Sequence, residues 1–222
     1  MAEESVSPNQ VRQIAERAFT IEQYILRRAW GYCFGIVAVQ IALITFLPLL
    51  LESAGFSAFY GLEARILVNT TISIIGIAIT TWILKKAYNV MLVRREIVDS
   101  IWTKMLRPSG VAAGWLVYYV PIILAIVFLR PLAGAVLYGV LATSTAPFLF
   151  ALKVSFPEQI PREGIAVLVT YAFSTFSILI LFLLHAQNVL YLIFLSTLAA
   201  VFLSASLYAY KQKPPNSPED HA

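Results

Sequence analysis

Six long apolar runs, each free of Asp, Glu, Lys and Arg, alternate with short stretches that hold almost all of the charge. They are Trp30–Leu51, Ile66–Leu84, Val111–Leu129, Leu132–Leu152, Ile165–Leu184 and Val189–Tyr210. Each has about 19 to 22 residues, enough for an α-helix to cross a hydrocarbon core of about 30 Å. The strict alternation of apolar and polar residues that marks a barrel strand is absent from them. The pattern predicts an all-α, polytopic membrane protein with six transmembrane helices spread over residues 30–210.

Two other segments have helical periodicity but too little apolar length to span. In residues 1–29, Ser7-Pro8-Asn9-Gln10 reads as a capping box with proline at the first helical position. Val11, Ile14, Ala15, Ala18, Ile21 and Ile25 follow at helical spacing, with Arg12, Glu16, Gln23 and Arg27 largely on the other side. This predicts an N-terminal interfacial amphipathic helix that lies along the inner membrane surface and turns into the first span at Arg27-Arg28. In residues 85–107, Met91, Val98, Trp102 and Met105 form an apolar stripe against Arg94, Arg95, Glu96, Asp99 and Lys104. Arg95 and Asp99 have the spacing of an i, i+4 pair, and Arg107-Pro108-Ser109-Gly110 ends the segment. This cytoplasmic amphipathic helix between the second and third spans either prolongs the second span or lies on the membrane.

The connections add order. Arg130-Pro131 and His185–Asn188 leave room only for tight hairpins, and Glu52–Arg65 is the one sizeable outer segment. Residues 211–222, with Pro214, Pro215 and Pro218, read as a disordered tail. Glu3, Glu4, Glu16 and Glu22 precede a first run long enough to span, so that run is expected to be a retained helix rather than a removable leader.

Composition agrees with the pattern. The chain has 222 residues, 59% hydrophobic and 13% charged, with mean hydropathy +0.79, against about half apolar and a quarter charged in a soluble domain. A net charge of +4 raises the question of nucleic acid, but the basic residues flank the apolar runs, where they anchor helices against anionic headgroups. Of the 16 Lys and Arg residues, all but Arg65 and Arg130 fall on one side when the amino terminus is cytoplasmic. The positive-inside rule therefore places both termini in the cytoplasm of a multi-pass cell-membrane protein.

Candidate chemistry is sparse. Asn69, Ser73, Gly76 and Thr80, with Thr70 and Thr81 nearby, form a polar stripe on the second run; Thr170, Ser174 and Ser177 repeat it on the fifth. Ala135, Gly139 and Thr143 on the fourth run, and Ser196, Ala200 and Ser204 on the sixth, have the same spacing. Small and hydroxylated residues so placed form either a polar path or, more commonly, the seams along which membrane helices pack. Asn69 is the least comfortable in lipid and is expected to face protein; Gln40 is expected to bond between helices. Pro48, Pro121 and Pro147 are expected to kink their helices. His185 and His221 are too far apart for a metal site, and Cys33 reads as a packing residue. No catalytic residue, metal site or cofactor motif is recognisable, no phosphate-binding loop occurs, and no ionisable residue interrupts the six runs. Proton- and sodium-coupled carriers usually need such a residue at membrane depth. These features predict a protein that is not an enzyme and has no coupling charge of its own.

The order of a cytoplasmic amphipathic helix, six spans, a basic inner segment over Lys85–Arg107 and a short inner loop over Ser155–Gly164 resembles the permease subunit of ABC-2-type ABC transporters. The resemblance covers most of the chain as topology and includes no residue-by-residue motif. It departs from the family at His185–Asn188, where such permeases usually carry an extended outer segment. It implies a transport subunit, in a homo- or hetero-oligomer, whose inner segments contact a separate ATPase; Arg94, Arg95, Asp99 and Trp102 are the candidate docking residues. The alternative is a non-enzymatic scaffold, platform or channel subunit of a secretion, pilus or DNA-transfer machine.

Overall fold

The computed structural model of the chain describes residues 8–56, 62–90, 133–156, 158–184 and 188–212, with Val120 and Leu124. Among the described residues the fold is all helical, with no strand. Its elements are α1 (Pro8–Ser53), α2 (Leu62–Val90), α3 (Ala133–Thr143), α4 (Thr145–Ser155), α5 (Arg162–Leu183) and α6 (Asn188–Tyr210). Three of them are long and apolar enough to cross a membrane: α1 over Asn9–Ser53, α5, and α6 over Val189–Tyr210. Their outer faces suit lipid rather than water. Val39, Val169, Phe173, Leu184 and Val189 are all more than half exposed, and a soluble protein does not display so much contiguous apolar surface.

Two elements differ from the sequence expectation. No turn separates the amphipathic segment from the first span, because α1 is one helix of 46 residues that runs through Arg27-Arg28. Leu26, Ala29, Trp30, Cys33 and Phe34 are all buried against neighbouring helices, so packing holds the backbone helical through that stretch. The run 132–152, expected as one helix, is two: Ser144 interrupts it for a single residue. The cause lies three residues on. Pro147 has no N–H to give the carbonyl of Thr143, and its ring crowds that carbonyl; it is accommodated in the first turn of α4, where the missing donor costs nothing. The second run continues past its apolar part, with α2 carrying Lys85 and Lys86 as far as Val90.

At its far end α1 closes by a glycine cap. Gly55 adopts φ +84°, its N–H bonds to the Glu52 carbonyl at 3.0 Å, and Phe56 N–H reaches back to Leu51 at 3.1 Å. Those two bonds satisfy carbonyls that the helix end would leave orphaned, and glycine adopts the left-handed conformation without strain.

Helices that pack on one another, α1 with α2, α3 with α5 and α1 with α6, run antiparallel. Gln40 of α1 meets Ile72 and Ser73 of α2 while Cys33 meets Thr80; Tyr138 of α3 meets Phe182 of α5 while Ser144 meets Tyr171. Phe173 of α5 meets Phe194 of α6, and Gly31 and Gly35 of α1 lie against Ala209 and Ser206 of α6. One end of the bundle therefore gathers Arg27, the end of α4, the start of α5 and the end of α6. The core sits near that end, built from Leu26, Trp30, Phe34, Leu152, Phe156, Val167, Phe202 and Ala205.

Candidate functional site

The most organised polar site lies where α1, α5 and α6 converge at that end. Arg27 meets Glu163 in a two-pronged ion pair: Nε donates to Oε1, and Nη2 donates to Oε2 at 2.8 Å. Arg27 Nη1 also donates to Gln212 Oε1 at 3.3 Å, and the guanidinium lies 5.8 Å from the centre of the Tyr208 ring. Glu163 is buried, with its side chain 4% exposed against 29% for Arg27. It occupies the first turn of α5, where the helix dipole favours negative charge. The hydrogen bonds that Arg27 donates to Glu163, opposed by desolvation and aided by the carboxylate's charge, raise the Arg27 pKa above its already high ordinary value.

A second contact ties α4 to the same place. Trp30 Nε1 donates to Ser155 Oγ at 2.9 Å, and Ser155 Oγ donates in turn to the Ala151 carbonyl at 2.8 Å. Beneath it is a cluster of rings. Trp30 and Phe34 are 5.8 Å apart, Phe34 stands edge-on to Phe148 and to Phe202, and Phe148 stands edge-on to Tyr171. Offset and edge-on ring pairs of this kind add about 0.5–1.5 kcal/mol each beyond the area they bury. The crevice lined by Arg27, Trp30, Phe34, Leu152, Phe156 and Glu163 is too narrow for a water molecule. The arrangement is a closed clasp that, among the described residues, locks four helices at one end.

The polar stripes resolve mainly into packing devices. Gly76 is the gap into which Gln40 fits: a Cβ there would fall 1.9 Å from Gln40 Nε2. The amide donates to the Ile72 carbonyl at 3.0 Å and the Ser73 carbonyl at 3.3 Å. Thr80 bonds its own helix, at Gly76 and Ile77. Ser144, at the break between α3 and α4, bonds the Tyr171 hydroxyl and the Leu141 carbonyl; Thr175 bonds the Tyr171 carbonyl. Ser174, Thr145 and Asn69 are different. Each has a buried side-chain oxygen, Oγ, Oγ1 and Oδ1 respectively, without a hydrogen-bond partner among the described residues. Thr170 is half-buried and joins none of these contacts. Gly139 has no described residue within 4 Å of where a Cβ would be, and on α6 the buried stripe is Leu198, Phe202, Ala205 and Ala209 rather than Ser196, Ala200 and Ser204. Arg94, Arg95, Asp99 and Trp102 lie outside the described residues, as does His185.

Two features of the site were absent from the sequence expectations. Gly31-x-x-x-Gly35 is legible as a close-packing motif; a Cβ on Gly31 would fall 2.7 Å from that of Ala209, and one on Gly35 would fall 2.8 Å from Ser206 Oγ. The Arg27–Glu163 pair joins residues far apart in the chain, and spacing gives no signal for it. Among the described residues no three of His, Cys, Asp and Glu come together as a metal site would require. No family model, curated protein or solved structure matches the chain.

Proposed function

We propose that the chain is a six-span integral membrane subunit of a transport system, with both ends in the cytoplasm, and that it is the permease partner of a separate ATPase. One observation carries the reading. The antiparallel order of the described helices brings Arg27, Arg28, Lys85, Lys86, Lys153, Arg162 and Lys211 towards one end, while the helical stretches from there to Glu52, Glu63 and Arg65 at the other end carry no charge. By the positive-inside rule that end is cytoplasmic. A membrane interior without an ionisable group offers no proton or sodium coupling, so energy for transport comes from outside the chain. The clasp makes the cytoplasmic end stiff, which suits a surface that receives force from a docked partner. In this reading the chain binds no cofactor, is not itself an enzyme, and uses residues 85–107 as its docking segment.

A second reading draws on the closed clasp. A crevice too narrow for water suits a scaffold or platform subunit of a secretion, pilus or DNA-transfer machine as well as it suits the resting state of a permease. Purification of the tagged chain from its native membrane in nanodiscs, followed by mass spectrometry, separates the two. Recovery of a stoichiometric ATP-binding-cassette ATPase, lost on Arg94→Glu/Arg95→Glu without loss of insertion, supports the permease. Recovery of secretion or pilus components instead overturns it.

A further inference from the structure

Two neighbouring arginines meet the end of α6 in different ways. Arg27 turns inward to Glu163, whereas Arg28 lies at the edge of the α1–α6 seam among tyrosines. Its Nη1 donates to the Tyr24 hydroxyl at 2.8 Å, and its guanidinium lies 5.6 Å from the centre of the Tyr24 ring and 4.8 Å from that of Tyr210. Tyr32, one turn further along α1, stands edge-on to Tyr210 at 6.1 Å. Tyr24, Arg28 and Tyr32 follow at i, i+4 and i+8 and share one face of the helix; the end of α6 supplies the third ring. Such rings attract and orient a guanidinium, but they leave its charge uncancelled. Among the described residues no carboxylate pairs with Arg28, and its Nε is buried without a hydrogen-bond partner.

The surroundings specify the counter-charge. Arg28 lies just before the apolar run 30–51, and Tyr210 closes the run 189–210, so both sit where the two spans leave the hydrocarbon. Tyrosine is enriched at that level of a membrane. The outer face that carries Arg28 continues into the membrane as apolar surface. Tyr32, Val39 and Leu43 of α1 are 46%, 56% and 41% exposed, and Leu203 and Leu207 of α6 are 48% and 54% exposed. An anion that reaches Arg28 from this side therefore brings apolar chains to lie on these residues, which a phospholipid has and a bare phosphate lacks. A guanidinium presents a planar fork of donors that matches a phosphate. A zwitterionic headgroup brings its own cation, which Arg28 and the exposed Lys211 repel.

We propose that Arg28, held in place by Tyr24, Tyr32 and Tyr210, binds the phosphate of an anionic phospholipid at the clasp end of the α1–α6 seam, with the acyl chains along the outer face of both helices. Arg27 cannot serve in its place, because Glu163 already takes both prongs of its fork. The site rests on the membrane reading of α1 and α6, and on neither transport nor an ATPase.

Native mass spectrometry of the full chain in detergent, titrated with phosphatidylglycerol, tests this. Every variant is extracted from membranes, so a failure of insertion is told apart from a failure of the site. The native chain is expected to hold a single phosphatidylglycerol in preference to phosphatidylcholine of the same chain length. Arg28→Gln weakens that binding by about tenfold. Lys86→Gln removes the same charge from α2, where the ammonium lies over Trp82, and changes the binding by less than about twofold. Tyr24→Phe keeps the charge but removes the hydroxyl that orients it, and weakens binding by about threefold. Equal weakening by Arg28→Gln and Lys86→Gln would show attraction to net charge alone and overturns the proposal, as does no weakening by Arg28→Gln. Displacement of the lipid by millimolar inorganic phosphate would mark a site for free phosphate and overturns it too.

Discussion

The two polar regions of the bundle solve opposite problems. At the clasp, Arg27 and Glu163 bring full charges together, and every prong of the pair is satisfied by Glu163, Gln212 or the nearby Tyr208 ring. Along the described apolar stretches polarity comes mainly from hydroxyls and the amides of Gln40 and Asn69. Most of these turn back on the backbone, as Thr80, Thr175 and Gln40 do, while Ser174 Oγ and Thr145 Oγ1 stay unpartnered among the described residues. Charge is tolerated where water is close enough to lower the cost of desolvation. Deeper in, a hydroxyl left without a partner is far cheaper than a charge. The clasp therefore fixes which helices meet, and the small polar groups along the apolar stretches set how closely they approach.

The largest effect that would break this contrast is loss of one charge from the clasp. Arg27→Ala leaves Glu163 buried and uncompensated, and it should lower the stability of the detergent-solubilised chain by about 3 kcal/mol or more. Replacing both partners with Met and Leu should restore most of it, as read by thermal unfolding. Next come the close approaches. Gly31→Ala sets a methyl 2.7 Å from Ala209 Cβ, an overpacking that should cost about 1–3 kcal/mol. Gly76→Ala pushes Gln40 off its two carbonyls and should cost a similar amount through the orphaned amide. Gln40→Ala in the Gly76→Ala background should recover part of that loss.

A smaller effect is expected at the second tie. Trp30→Phe keeps the ring cluster but removes the bond to Ser155, which retains its own bond to Ala151; the cost should be about 0.5–1.5 kcal/mol. The smallest is Arg12→Ala. Its partner Glu16 is exposed and the pair is local, so the loss should stay below about 0.5 kcal/mol and shrink further in high salt.

Much of this architecture is legible in the sequence, and what is not has physical reasons. The fifth and sixth apolar runs coincide with α5 and α6 to within a few residues, because long uncharged stretches fix helical spans almost by themselves. The first run lies wholly inside α1, but hydropathy changes at Arg27-Arg28 where the backbone does not, so the composition suggests a turn that packing forbids. The break at Ser144 follows from Pro147, yet proline is common inside membrane helices, and only the fold shows which carbonyl gives way. Small-residue stripes reveal that helices pack but not which stripe is used. Ala205 and Ala209 pack on α1, while Ala200 and Ser204 stay exposed. The Arg27–Glu163 pair is beyond any periodicity, since it depends on three helices meeting at one end.

A charge-swap cycle at the clasp tests the central claim most directly. Arg27→Glu and Glu163→Arg are each expected to leave little folded chain in membranes, while the double variant recovers most of it, short of the native level because a cation then sits at the start of α5. Recovery would establish that this pair joins α1 to α5. Single variants as stable as the native chain, or a double variant no better than either single, would contradict it.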